Sequence, residues 1–188
     1  MDRTLAANLE PTRTAAPMRW TAAKVYESHA DFVWASLSRL GVTTDDLPDQ
    51  TQEVFVVVHR RLDSFDGSAR MTTWLFGICL HVAQNWRRHR RRHPESPTEV
   101  IEREGSDASP EEQASDAQAR RTLAHILDTM EPARRAVFVM FELEGLSCVE
   151  IGEMLGVPVG TVYSRLHAAR ASFQESVARV RRGHEVRR

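Results

Sequence analysis

The chain has 188 residues, 41% of them hydrophobic and 27% charged, with a net charge of −1. That is globular composition at a length for one ordinary domain or two small ones, and it excludes wholesale disorder, collagen-like repeats and coiled-coil arrays. The near-neutral average hides two basic blocks around an acidic one: Arg87–Arg92 holds five arginines and no acid, residues 94–119 hold eight acids against Arg103, and residues 161–188 hold seven arginines against Glu175 and Glu185. A polyanionic partner is therefore open where the average would argue against one.

In chain order, residues 1–20 are polar, rich in Pro, Ala and Thr, and without periodicity, so a disordered lead-in is expected. They lack the roughly 7–15-residue apolar stretch of a secretory leader. No run approaches the roughly 18–20 apolar residues of a membrane span, so no membrane insertion is expected. From Thr21, the residues Tyr26, Ala30, Val33, Leu37 and Leu40 recur at steps of three and four, the stripe of an amphipathic helix. Gly41 follows where a helix C-terminus favours a residue tolerant of positive φ. A second helix is predicted from Leu47–Pro48, with proline in its first turn and Asp45, Asp46 and Asp49 at its positive end. Its inner face is expected to hold Thr51, Val54, Phe55, Val58, Leu62 and Phe65. The β-branched run 54–58 also fits a strand; helix is preferred because helix formers flank it and no second strand exists for it to pair with. A turn is predicted at Asp66–Gly67.

A third helix spans Met71–Arg92, with Met71, Leu75, Ile78, Val82 and Trp86 inward and the arginine block at its end. Pro94 and Pro97 terminate it. Residues 94–116 carry three prolines, much Ser and Glu and two large aliphatics, and read as a solvated acidic linker. Four more helices follow. The first holds Leu123, Ile126, Leu127 and Met130, and the next runs from Pro132 to Gly145. The third opens at Ser147 with Glu150 three positions on, a capping box, and stops at Gly156. The last runs from about Gly160 to Val180. The expected fold is all-α: two small helical domains, 21–93 and 117–182, joined by a flexible acidic linker, with a basic tail at 183–188.

The sharpest local signal lies in 147–173: a short helix, the turn Gly156-Val157-Pro158, then a long amphipathic helix. This is helix-turn-helix spacing, in which the second helix enters the major groove. With Leu166 as the core direction at about 100° per residue, Thr161, Ser164, His167, Ala168 and Ala171 point outward, and Tyr163 and Arg165 flank them. Small and polar outward residues suit base edges and phosphates. An ordinary helical hairpin with a polar outer face fits the same pattern. The arginine block Arg87–Arg92 suits phosphate, and equally suits a solvated helix end that complements the macrodipole. Trp74 and Trp86 have stacking potential, though Trp86 falls at a core position.

His89 and His93 stand at i and i+4, a zinc-binding spacing, but without a third ligand and among arginines that repel a cation, so no metal is expected. Cys79 and Cys148 are 69 positions apart, which argues against a CxxC site and a disulfide framework and makes a reducing cytosol the expected compartment. No nucleophile elbow or paired-carboxylate arrangement is readable, so neither enzyme activity nor a cofactor is expected.

The strings DQTQEVFVVVHRRLDSFDG and TTWLFGI, the basic helix end, the acidic linker and FELEGLSCVEIGEMLGVPVGTVYSRLHAAR together resemble the extracytoplasmic-function (ECF) group of bacterial sigma-70 factors, over about Val25 to Val180. The resemblance implies a promoter-specificity subunit of RNA polymerase. Its partners would be core polymerase (the beta-prime clamp helices and beta flap), promoter DNA and an anti-sigma factor. By motif position it implies polymerase docking through Asp49, Gln52, Glu53 and Phe55. It places −10 binding and melting on Asp66, Gly67, Ser68, Arg70, Met71, Thr73, Trp74, His81, Arg87 and Arg88. It places −35 reading on Thr161, Tyr163, Ser164, Arg165 and His167. The chain departs from the family pattern at Gln50, His81, Tyr163 and Ala168, positions that bear on which promoter is read. His81 is expected to be a buried structural histidine. A stand-alone helix-turn-helix regulator is the alternative, and it leaves DQTQEVF, TTWL and the arginine block without a role.

Overall fold

The computed structural model describes residues 20–92 and 110–185, with side chains described for 20–92 and 118–182. The expected lead-in up to residue 19, the linker segment 93–109 and residues 186–188 lie outside the described residues. Within them the chain is all-helical, with no strand: α1 (Ala22–Arg39), α2 (Leu47–Arg61), α3 (Met71–Arg92), α4 (Pro110–Asp128), α5 (Pro132–Phe138), α6 (Cys148–Leu155) and α7 (Val159–Glu185).

The first unit is α1, α2 and α3 packed against one another. Thr21 caps α1 by accepting from the Lys24 amide at 3.2 Å. Helix α1 ends at Gly41, whose φ of +90° lets the chain turn back so that the Val42 amide donates to the Leu37 carbonyl at 3.1 Å. The core is built from Val25, Val33 and Leu37 of α1, Leu47, Val54 and Val58 of α2, and Leu75, Phe76, Ile78 and Val82 of α3. Each such fully buried side chain contributes roughly 1.5–3 kcal/mol. Helix wins over strand for 54–58 because Val54 and Val58, one turn apart, both reach this core. Tyr26 does not join it: the ring is 54% exposed and lies edge-on to Phe55, with centroids 4.8 Å apart, while Val25 takes the inward position. A hydroxyl-bearing ring sits at the border of a core, whereas the smaller valine fills it. Trp86 is half-buried, with the Arg90 guanidinium 5.5 Å from its ring centroid.

The second unit is α4 to α7. Helix α5 is capped by Glu131, whose carboxylate accepts from the Ala133 and Arg134 amides, and it runs into a π-helical turn, Val139–Leu143. Helices α5 and α7 pack most extensively in this unit, with Val137 and Met140 buried under Val162, Leu166 and Ala169 and with Phe138 stacked on Phe173 at 4.9 Å. Helix α4 begins at Pro110, inside the segment read as linker. Pro110-Glu111-Glu112 explains it: proline suits a first turn and acids suit the positive helix end. Helix α7 likewise continues past Val180 to Glu185.

Candidate nucleic-acid interface

The helix-turn-helix is built by local chemistry. Ser147 Oγ accepts from the Glu150 amide at 3.3 Å and Glu150 Oε2 accepts from the Ser147 amide at 2.8 Å, completing the capping box. Those bonds hold the Glu150 carboxyl below its ordinary value. Helix α6 stops at Gly156, in the left-handed region at φ +64°. The Val157 amide then donates to the Gly152 carbonyl at 3.0 Å. A Cβ on Gly152 would stand 3.0 Å from the Val157 carbonyl oxygen, so a glycine there sets how closely the turn folds back. Sequence reasoning passed over Gly152; its signal is a glycine inside a helical pattern.

On α7, Tyr163 is 61% exposed, and Ser164 and His167 are exposed beside it. Ser164 Oγ donates back to the Gly160 and Thr161 carbonyls. Thr161 and Arg165 are half-buried, and Arg165 turns towards the first unit. Val149 on α6 is an apolar side chain left 54% exposed, which the sequence did not single out.

In the first unit, Asp49, Gln52 and Glu53 are exposed on α2 at i, i+3 and i+4, one face of the helix. Phe55 is half-buried against Tyr26 instead. The loop before α3 turns at Asp66, whose Oδ1 accepts from the Ser68 amide at 2.9 Å, and at Gly67, φ +76°. Hydrogen bonds from Ser68, side chain first and backbone second, hold the Asp66 carboxyl below its ordinary value. Ser68 and Arg70 are exposed, Thr73 and Trp74 half-buried, and Met71 is buried in the core. Trp74 leans on Phe65 with ring centroids 5.3 Å apart. His81 is exposed, not buried as expected, because its position falls on the solvent side of α3. Trp74, His81 and Arg88 stand seven residues apart in succession, so they follow one ridge of α3 over about 21 Å.

The arginine block divides. Arg87 Nη2 donates to the Leu40 carbonyl at 2.7 Å, tying α3 to the end of α1. Burial first, then the charges of Arg135 and Arg91, lower its pKa. Arg90 bonds to Thr43 and pairs with Asp46 at 3.0 Å. Arg88 reaches only its helical neighbour Asn85, and Arg91 and Arg92 are exposed. Arg87, Arg88, Arg91, Arg92 and Arg165 line a cleft of about 670 Å³ between the units. From one unit to the other, Arg39 Nη1 pairs with Glu144 Oε1 at 3.2 Å. Burial raises the Glu144 pKa, against the opposing pull of Arg39 and Arg70. Cys79 and Cys148 are free and buried. Burial, with the Glu144 charge second, pushes the Cys79 thiol up.

His93 lies outside the described residues, and among those described no group of three or more His, Cys, Asp or Glu is placed to hold a metal. No helix among them is long and apolar enough to cross a membrane.

An all-helical pair of units, the second a helix-turn-helix, defines a two-domain DNA-reading protein. Family models narrow the class: Sigma-70 region 2 matches residues 25–93 and Sigma-70, region 4 matches residues 120–173. The ECF RNA polymerase sigma-E factor of Escherichia coli (strain K12) is 33% identical over 152 residues, covering 76% of this chain and 80% of that protein. The ECF RNA polymerase sigma factor SigE of Mycolicibacterium smegmatis is 32% identical over 158 residues, covering 83% and 61%. Among solved structures, the sigma factor RpoE of Bartonella quintana in complex with the anti-sigma factor NepR is similar with a TM-score of 0.66 at 19% identity, covering 83% of this chain and 96% of that one. CnrH in complex with the cytosolic domain of CnrY is similar at 0.58 and 22%, covering 84% and 87%; both show a shared fold. The chain belongs to the ECF group of sigma-70 factors, the non-catalytic subunits that give RNA polymerase its promoter specificity. Its partners are core RNA polymerase and promoter DNA.

Proposed function

We propose the following division of labour for this sigma factor. The exposed face Asp49, Gln52 and Glu53 of α2 docks on the polymerase clamp helices. The ridge Trp74, His81 and Arg88 of α3, with the loop from Asp66 to Arg70, receives the opened −10 strand. Tyr163, Ser164 and His167 of α7 read the −35 element, with Thr161 and Arg165 at the edge of that surface. An aromatic at the head of the ridge suits stacking on an unpaired base, and guanidinium further along it suits phosphate. A flipped base requires a few kcal/mol of unstacking, for which binding to polymerase compensates. The protein acts in the cytoplasm under an anti-sigma factor, a control supported by the relative solved with one bound.

The observation that supports this reading most directly is the exposed Tyr163–Ser164–His167 face on the second helix of the helix-turn-helix. Run-off transcription tests it, with sigma-free core polymerase and fragments of the source genome, with and without the protein. New start sites sharing spaced −10 and −35 elements are expected. Binding to duplex DNA with no new starts would instead make the protein a stand-alone regulator.

A further inference from the structure

Positive charge converges on one hollow from two separate helices. The cleft of about 670 Å³ takes Arg87, Arg88, Arg91 and Arg92 from α3, neighbours at spacings of three and four, and Arg165 from α7. Cations so placed repel one another, and the pKa of Arg87 is lowered by burial first and then by the charges of Arg135 and Arg91. Little protein charge answers them. Among the described residues no carboxylate pairs with Arg88, Arg91 or Arg165. Glu131 lines the cleft, but its Oε2 is engaged by the Ala133 and Arg134 amides. The rest of the lining is mostly apolar: Leu80 and Ala136 are buried there, and Leu155 and Val157 are half-buried, with surface left to cover.

We infer that this cleft is a binding site for a nucleoside polyphosphate, with Arg88, Arg91 and Arg165 on the phosphates and Leu80, Leu155 and Val157 against the base. A guanidinium presents its donors in a planar fork that matches phosphate oxygens two at a time. Several forks in one hollow suit phosphates joined directly to one another. In a nucleic-acid strand, by contrast, successive phosphates are held apart by sugars. The apolar wall decides the rest of the ligand: inorganic phosphate would leave Leu155 and Val157 wet, whereas a planar base covers them and gains from their burial. Ligand sites pair an apolar lining with a few charged anchors at volumes of about 300–1,000 Å³, a range that includes this cleft. The site stands on the composition of the cleft and not on the DNA-reading roles proposed above, although Arg88 and Arg165 occur in both.

Isothermal titration calorimetry on the full chain tests the site at about 0.15 M salt, where exposed charges are screened beyond about 8 Å. The probes are ATP, inorganic tripolyphosphate, adenosine and a short single-stranded oligonucleotide. ATP is expected to bind saturably at one site per chain and more tightly than tripolyphosphate, and adenosine alone is expected to give no heat of binding. Arg91→Gln and Arg165→Gln should each weaken ATP by about tenfold or more, the scale of a lost hydrogen bond to a charged group. Arg61→Gln, the same charge change at the exposed end of α2, should leave ATP affinity as it is. Circular dichroism checks that each variant keeps its helix content. No saturable binding of ATP, or an equal loss in Arg61→Gln, overturns the site. Tripolyphosphate as tight as ATP overturns the seat for the base and with it the ligand class. An oligonucleotide that binds more tightly than ATP and weakens in the same variants makes the cleft part of the nucleic-acid surface, and that also overturns the proposal. Neither polymerase nor promoter takes part in the ATP titration, so its failure is distinguishable from a failure of the sigma-factor reading in run-off transcription.

Discussion

The arginine-rich end of α3 and helix α7 are both basic in the sequence, yet they hold their cations differently. On α3, Arg87 is tied to the Leu40 carbonyl and Arg90 to Thr43 and Asp46, while Arg88, Arg91 and Arg92 face outward. On α7, Arg170 pairs with Glu142 at 2.7 Å and lies 5.0 Å from the Phe141 ring centroid, Arg165 faces the cleft, and the exposed face is left to Tyr163, Ser164 and His167. A block of charge is thus not one surface. Helical periodicity divides it into members that fasten the fold and members that face solvent, and only the neighbouring elements decide which is which.

The largest effect expected is on the platform beneath the α3 ridge. Phe76→Ala removes a fully buried ring and should lower stability by about 3–5 kcal/mol in chemical denaturation, loosening the ridge and the seat of the second unit together. Next comes the comparison within the arginine block. Arg87→Ala leaves the Leu40 carbonyl without its donor and should cost about 1–3 kcal/mol. Arg88→Ala should change stability by less than about 0.5 kcal/mol while weakening promoter opening by permanganate footprinting. Equal stability losses for the two would end the distinction between fastening and solvent-facing arginines.

Ser147→Ala removes half of the capping box and should cost about 0.5–2 kcal/mol in thermal melts. The other half of the box has a pH signature. Because the folded-state pKa of Glu150 is depressed, its contribution is complete above the ordinary value of 4.5 and is lost as pH falls through the folded value. The stability gap between wild type and Glu150→Ala should therefore be full at neutral pH and close on acidification. The smallest stability effect is expected at Tyr163→Ala, within about 0.5 kcal/mol because the ring is exposed, but with a changed start-site profile in run-off transcription.

Much of this was legible in the residues. Seven helices, the glycine at 41, the capping box at Ser147 and the turn at Gly156 all follow from spacing and from residues with narrow conformational preferences. The exposure of Ser164 and His167 on α7 was legible because Leu166 fixes the direction of the core and the rest of the helix follows at constant angle. Tyr26 and His81 were misplaced because periodicity gives a face to within a residue or so, and a border position can turn either way. Gly152 was missed because its role is a close approach by the Val157 carbonyl, a few residues on by number but adjacent only after the turn has formed.

By itself, the sequence determined the helices, the division into two units, the helix-turn-helix and the family, because each rests on local preference or on strings of neighbouring residues. Only the tertiary structure decided that Arg87 fastens α3 to α1, that His81 lies on the solvent side of α3, and that Glu144 reaches Arg39, 105 positions away. Those are pairings between elements, and an ion pair or a buried acceptor has no sequence signal until packing brings its partners within a few ångströms and removes the water between them.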